Sequence, residues 1–179
     1  MPPTKAAGLI RQRYQEKFGA EPTLDHTVYL ARNKAAALGF SRAGAQCLFV
    51  EKYLDEPVEV IASLVFGRPI ERGTIVEIGH LAASNAAAML ALWGDTANDL
   101  GAESEIAVAT LTAPLRHMFA RIGMPIFEVA PARAERLGND ARRWGSYYEE
   151  DPRVFIGEIA VCQKAMAAWR KHRRMGVAA

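Results

Sequence analysis

No apolar run in this 179-residue chain reaches the roughly 18 residues needed to cross a bilayer. The amino terminus carries Lys5 but no apolar stretch like that of a signal peptide. Only two cysteines are present, Cys47 and Cys162, each set among apolar neighbours. With no partner spacing they read as buried free thiols of a reducing compartment, so the expected location is the cytoplasm. No CxxC, HExxH or other metal spacing occurs, and no metal is expected. Ser84 lacks the GxSxG elbow of a hydrolase nucleophile. There is no GK[ST] phosphate loop and no GxGxxG after a strand, which argues against nucleotide hydrolysis and dinucleotide redox chemistry. The net charge of +2 is too small to imply nucleic-acid binding.

What is present is ordinary globular composition. Half the residues are hydrophobic, 23% are charged and the mean hydropathy is −0.04. The length suits a single domain spanning residues 1–179 and can bury a core without disulfides. Basic residues are uneven: Arg133, Arg136, Arg142 and Arg143 form one group, Arg170, Lys171, His172, Arg173 and Arg174 another. Both groups read as solvated faces or as a docking surface for an acidic partner.

Periodicity sketches the elements. Leu9–Phe18 repeats apolar residues at helical spacing, with Gly19 as its stop. Thr27–Ala31 reads as a strand, Asn33-Lys34 as a turn, and Ala35–Phe40 as strand or helix. Asp55-Glu56-Pro57 opens a helix over Val58–Phe66. Thr74–Leu81, Ile106–Leu111, Ile126–Val129 and Arg153–Val161 are predicted strands. Helices are predicted over Asn85–Leu100, Leu115–Ile122 and Gln163–Met175. Strand and helix alternate through the second half, which favours an α/β sheet with some parallel neighbours.

The stretch Ile75–Trp93 is where chemistry concentrates. Its apolar strand is interrupted by Glu77 and His80, then passes through Ala82-Ala83-Ser84-Asn85 into an alanine-rich helix. Free helix N–H groups at such a turn can hold an anionic or carbonyl-bearing ligand. Glu77 and His80 are three apart and would face opposite sides of a regular strand; a bulge at Gly79 would bring them together. Glu51, Glu59, Glu77 and His80 are the polar groups in apolar settings. A carboxylate desolvated there has a raised pKa and can take a proton from an amine. Glu51 and Glu59 fit a salt-bridged structural role equally well. His26, His117 and His172 read as surface or packing residues. Tyr53, Tyr147 and Tyr148 are candidate acids or pocket walls.

Five segments occur in an order that is similar to the thermostable hemolysin family: YQEKFGA (Tyr14–Ala20), LFVEKYLDEPVE (Leu48–Glu59), IVEIGHLA (Ile75–Ala82), TLTAPLRHMFARIG (Thr110–Gly123) and WGSYYEEDPRVFIGEI (Trp144–Ile159). That family resembles GNAT-type acyltransferases and, more distantly, acyl-homoserine-lactone synthases. The resemblance implies a GNAT-like mixed sheet, splayed open centrally and flanked by helices. It also implies a thioester arm lying in the gap against Ile75–Ala82. The synthases' Glu-x-Ser-Arg-Phe-like run reads Glu77-Ile78-Gly79-His80-Leu81 here, which implies Glu77 beside the attacking amine. His80 departs from the Asn usual in the hemolysin-like family and the Arg of the synthases.

The implied site then comprises Glu77, His80 and Glu51 as catalytic candidates. Ala82, Ala83, Ser84 and Asn85 would bind the thioester, with Tyr53, Glu59, Thr110 and Tyr147 around the substrate. The expected reaction is acyl transfer from a thioester to a small-molecule amine such as an amino acid. No tightly bound cofactor is expected; acyl-CoA or acyl-phosphopantetheine on an acidic acyl-carrier protein would be the co-substrate. Ala82–Ala88 lacks the glycines of an acetyl-coenzyme-A pyrophosphate loop, which favours the carrier protein. The alternative is a non-catalytic protein of the same fold that binds a carrier protein, or associates with anionic lipid through the basic terminal helix with Met166, Trp169 and Met175.

Overall fold

The computed structural model describes residues 5–32 and 34–176, with side chains through His172; Asn33, Arg173, Arg174 and Met175 of the expectations above lie outside the described backbone or side chains. Helix α1 (Lys5–Phe18) leads into β1 (Val28–Arg32) and β2 (Ala36–Arg42). A 3-10 segment, Phe49–Tyr53, precedes α2 (Val58–Phe66). The centre of the chain is β3 (Ile75–Ala83), α3 (Ala86–Leu100), β4 (Ile106–Leu111) and α4 (Ala113–Arg121). It continues through β5 (Phe127–Pro131), 3-10 turns over Ala134–Trp144 and Tyr147–Glu150, β6 (Arg153–Glu158) and α5 (Ile159–Gly176).

The six strands form one sheet in the order β1-β2-β3-β4-β6-β5. Only β3 and β4 run parallel; the other neighbouring pairs are antiparallel. Alternation along β3 sorts side chains to two cores. Ile75 and Ala82 join the first core with α1, α2 and the 3-10 turns, including Ile10, Tyr14, Val58 and Trp144. Val76 and Ile78 join the second with α3, α4 and α5, including Trp93, Phe119 and Met166. The sheet is therefore the middle of three layers in a mixed α/β fold.

Three expectations change. Ala35–Phe40 resolves as strand, because its pairing with β1 and β3 outweighs alanine's helix propensity. The run Arg153–Val161 divides: β6 ends at Glu158, and Ile159 begins α5 with its N–H donating to the Glu105 carbonyl. Its apolar residues Ile159 and Cys162 face α3 and α4 rather than a neighbouring strand. Cys47 is exposed, while Cys162 is buried as expected. No described helix is long and apolar enough to cross a membrane.

The sheet opens at its parallel pair. β3 and β4 are bonded only over Ile75–Glu77 against Ile106–Val108, although β3 continues to Ala83 and β4 to Leu111. A bulge lies just beyond this point. Between the pairs Ala37↔Ala82 and Gly39↔Gly79, β3 carries one more residue than β2. His80 takes the extra position with φ 48°. A bulge bends and over-twists its strand, which carries β3 away from β4.

Candidate active site

Glu77 is the last residue of β3 paired with β4, so it stands at the apex of the opening. Its side chain is 3% exposed. Both carboxylate oxygens accept backbone N–H groups, Phe49 N at 2.6 Å and Val50 N at 3.0 Å. These are the first amides of the 3-10 segment, which have no partner within it. Burial nevertheless outweighs them and pushes Glu77 up to about 8 from the ordinary 4.5. A buried carboxyl that titrates near neutrality is suited to general-base work.

The bulge puts His80 on the Glu77 side of the sheet: both line one enclosed cavity with Tyr14, His26, Tyr53, Thr110, Trp144 and Tyr147. Its volume, about 30 Å³, is that of a small water site. His80 lies parallel to Trp144, with centroids 6.0 Å apart, and its Nδ1 is 3.5 Å from the Tyr29 hydroxyl. Burial pushes His80 down to about 3 and His26 to about 4, so both imidazoles are neutral at physiological pH. The rings stand edge to face, 4.9 Å apart.

Of the surface and packing roles open to it, His26 takes the packing one, as part of this wall. Gly39 and Gly79 face each other across β2 and β3. A Cβ on either would come 2.6 or 2.4 Å from the imidazole. The ring therefore rests on a seat that only glycines leave open. Its Nδ1 is 3.2 Å from Ser41 Oγ, which also accepts from Thr27 N at 3.0 Å and Gln46 Nε2 at 3.1 Å.

Glu51 sits one turn behind. Its carboxylate takes both Arg72 guanidinium nitrogens at 2.7 and 2.8 Å, and also the N–H groups of Leu48 and Val58. Arg72 holds its carboxyl down to about 2, so it keeps its charge and takes up no proton near neutrality. The same Arg72 Nη1 donates to Glu59 at 2.7 Å. Both carboxylates thereby pin the segment whose amides hold Glu77, the salt-bridged role open to them from sequence.

Two larger cavities adjoin this centre. The first, about 500 Å³, fills the opening between β3 and β4. Leu81, Ala82, Ala83 and Thr110 come from the strands, Asn85 and Met89 from the start of α3, and Thr112, Leu115 and Met118 from the cap and body of α4. It shares Tyr14, Thr110 and Tyr147 with the enclosed cavity. The Thr110 Oγ1 at this junction is buried without a hydrogen-bond partner in the protein. The second, about 340 Å³, lies among Asp25, His26, Gln46, Cys47, Phe49, Lys52 and Glu77, and shares His26, Phe49 and Glu77 with the centre.

Of the thioester-binding candidates, Ala82, Ala83 and Asn85 line the larger cleft. Ser84 is exposed, with its N–H on the Ala35 carbonyl and its Oγ accepting from Asn85. Asn85 caps α3 itself, its Oδ1 accepting from Ala88 N at 2.9 Å, so one helix-terminal amide is already satisfied. Tyr147 is buried where the larger cleft adjoins the pocket of Glu77, and Tyr53 bonds Tyr148 through their hydroxyls at 2.6 Å. Burial raises both phenols well above their ordinary range, so neither ionises near neutrality.

Tyr14, Phe49 and Trp144 complete the centre but carry no sequence signal of their own. Tyr14 occupies an apolar stripe of α1, where it reads as core, and it is indeed 5% exposed.

The model of the thermostable hemolysin family matches residues 3–163. The chain belongs to the thermostable hemolysin family. No functionally curated protein matches it in sequence. Among solved structures it is similar to apo TofI at 16% identity, covering 93% of this chain and 91% of that one, with TM-score 0.60. It is also similar to the AHL synthase LasI, at 12% identity, 90% and 85% coverage and TM-score 0.59. The third is FeeM, an N-acyl amino acid synthase from uncultured soil microbes, at 13% identity, 87% and 90% coverage and TM-score 0.51. At these identities the likeness is one of fold: this family member shares the centrally opened, GNAT-like sheet of those proteins.

Proposed function

We propose that this hemolysin-family protein is an N-acyltransferase that moves an acyl group from a thioester to the amine of a small molecule such as an amino acid. One observation carries the reading: a buried carboxyl poised near neutrality lies in a small pocket that shares Tyr14, Thr110 and Tyr147 with the β3–β4 opening and His26 and Phe49 with the cavity beside Asp25. The thioester arm of coenzyme A or of an acyl-carrier protein lies in the β3–β4 opening. The amine enters between Asp25 and Lys52. Glu77 takes its proton as the nitrogen attacks the thioester carbonyl carbon. The carbon–sulfur bond then breaks, the amide forms, and the thiolate leaves to be protonated as the free thiol.

Positioning and a dry pocket supply most of the rate in such a transfer, because the protein forms no covalent intermediate. The Thr110 hydroxyl, buried without a protein partner, lines both the β3–β4 opening and the pocket of Glu77 and hydrogen-bonds the donor there. His80, neutral and stacked on Trp144, shapes the wall rather than moving the proton. The proteins of similar fold that act as AHL synthase and N-acyl amino acid synthase support this assignment.

The test is thiol release from acyl-carrier and coenzyme-A thioesters offered with a panel of amino acids and other amines. Release that depends on the amine and falls by about 10²-fold or more in Glu77→Gln is expected for loss of a general base. Equal release by wild type and Glu77→Gln would remove Glu77 from the chemistry. No amine-dependent release from any donor would remove the reaction.

A further inference from the structure

We propose that Asp25, His26 and His80 form a binding site for a divalent transition-metal ion of the zinc class. One donor atom from each, a carboxylate oxygen and two imidazole nitrogens, lies within 4.8 Å of the others. A tetrahedral ion with bonds of about 2.0–2.1 Å brings its donors to roughly 3.3 Å of one another. Asp25 is the exposed member of the three and is free to adjust toward the two imidazoles.

The two imidazoles are held where a metal needs them by features that are costly otherwise. His80 adopts φ 48°, a left-handed conformation that a non-glycine residue takes at a penalty of about 1–3 kcal/mol. The bulge it creates brings its ring to 4.9 Å from that of His26. His26 lies on the paired glycines 39 and 79, and its Nδ1 meets Ser41 Oγ at 3.2 Å. An oxygen partner on one ring nitrogen is the usual outer support of a metal-bound histidine.

The donor set selects the ion. Two imidazoles and one carboxylate favour zinc, cobalt or nickel, whereas magnesium and calcium take oxygen ligands. Three protein ligands leave coordination positions free, the arrangement of a reactive or ligand-binding site rather than a closed structural one. Asp25 and His26 both line the cavity that also contains Gln46, Lys52 and Glu77. An oxygen or nitrogen donor of a small molecule in that cavity would complete the shell.

The full-length chain, stripped with chelator and dialysed, is titrated with Co²⁺ and Zn²⁺ by calorimetry and visible absorption. One equivalent should bind, with the intense visible bands of four- or five-coordinate Co²⁺, and Zn²⁺ but not Mg²⁺ or Ca²⁺ should displace it. Asp25→Asn changes an exposed side chain and His80→Asn introduces a residue tolerant of positive φ, so both variants keep the fold. Each should weaken binding by more than 100-fold, and Ser41→Ala by roughly 10-fold. Cys47→Ser should leave affinity and spectrum unchanged. Wild-type affinity in Asp25→Asn and His80→Asn, or only the weak bands of six-coordinate Co²⁺, would overturn the site. The titration reads no acyl transfer, so its failure and that of the proposed reaction are separate results.

Discussion

Replacing Glu77 with Gln should remove a downward component from the pH dependence of stability between pH 6.5 and 8. Glu77 titrates at about 8 in the fold against an ordinary 4.5. Between those values the folded chain holds a proton that the unfolded chain has released. Stability must therefore fall as pH rises through this interval. Each unit corresponds to about 1.4 kcal/mol, so the interval from 6.5 to 8 accounts for roughly 2 kcal/mol. For a chain of this size that is about 4–8 °C in melting temperature. The lower bound of 6.5 is set by the two buried imidazoles. His26 and His80 titrate at about 4 and 3 in the fold, against 6.5 ordinarily. They make stability rise with pH up to about 7.5, by the same amount in wild type and Glu77→Gln, so the difference between the two profiles isolates Glu77. The amide of Gln presents an NH₂ to one of the Phe49 and Val50 N–H groups, which lowers stability by a pH-independent amount. The slope is therefore the readout. Melting curves or urea midpoints at half-unit steps, in chelator-containing buffer, measure it. Parallel wild-type and Glu77→Gln profiles from pH 6.5 to 8 would refute the assignment of a protonated, desolvated Glu77.

Gly79→Ala places a methyl 2.4 Å from His26 Nε2; a loss of about 1–3 kcal/mol is expected, with displaced His26 and His80 ring resonances by NMR. An unchanged urea midpoint would show that the imidazole has room to move. Arg72→Met leaves Glu51 and Glu59 without their shared partner, and should cost about 1.5–3 kcal/mol at pH 7 for the lost charged hydrogen bonds. Glu51 lies at about 2 in the fold, so the stability from this pair is complete above its unfolded value near 4.5 and disappears as pH falls toward 2. The variant should therefore converge with wild type in acid, and a gap that persists at pH 2 would contradict the ion-pair account.

Much of the site was readable before the fold. Glu77 stands out because a carboxylate in an apolar strand must be either paired or functional, and the adjoining Gly79 marks the bulge that turns His80 to its side. The α2 and α3 boundaries follow from Pro57, Gly67 and Asn85, whose local chemistry needs no tertiary partner. Glu51 illustrates the limit. As a lone carboxylate among Leu48, Phe49 and Val50 it looks like Glu77, yet Arg72 bonds it and fixes its charge. His26 shows the reverse. Its sequence leaves surface and packing roles open, and only the facing glycines of two strands make it a wall of the cavity. Cys47, apolar by its neighbours, is exposed because its segment crosses the mouth of the smaller cavity.

The sequence by itself determined the family, the order of the elements, and the carboxyl on the central strand. These depend on short-range patterns: strand alternation, helix caps, glycine at turns, and five segments in a fixed order. Tertiary structure alone decided how far β3 and β4 remain paired, and hence where the sheet opens. It also decided which of the similar-looking carboxylates was desolvated and which was ion-paired. A pKa depends on what lies within a few ångströms in any direction. The metal-ligating trio has the same origin, since ligand spacing along a chain reveals only sites whose donors are close in sequence. Asp25 and His26 meet His80 across a sheet, through one extra residue in β3.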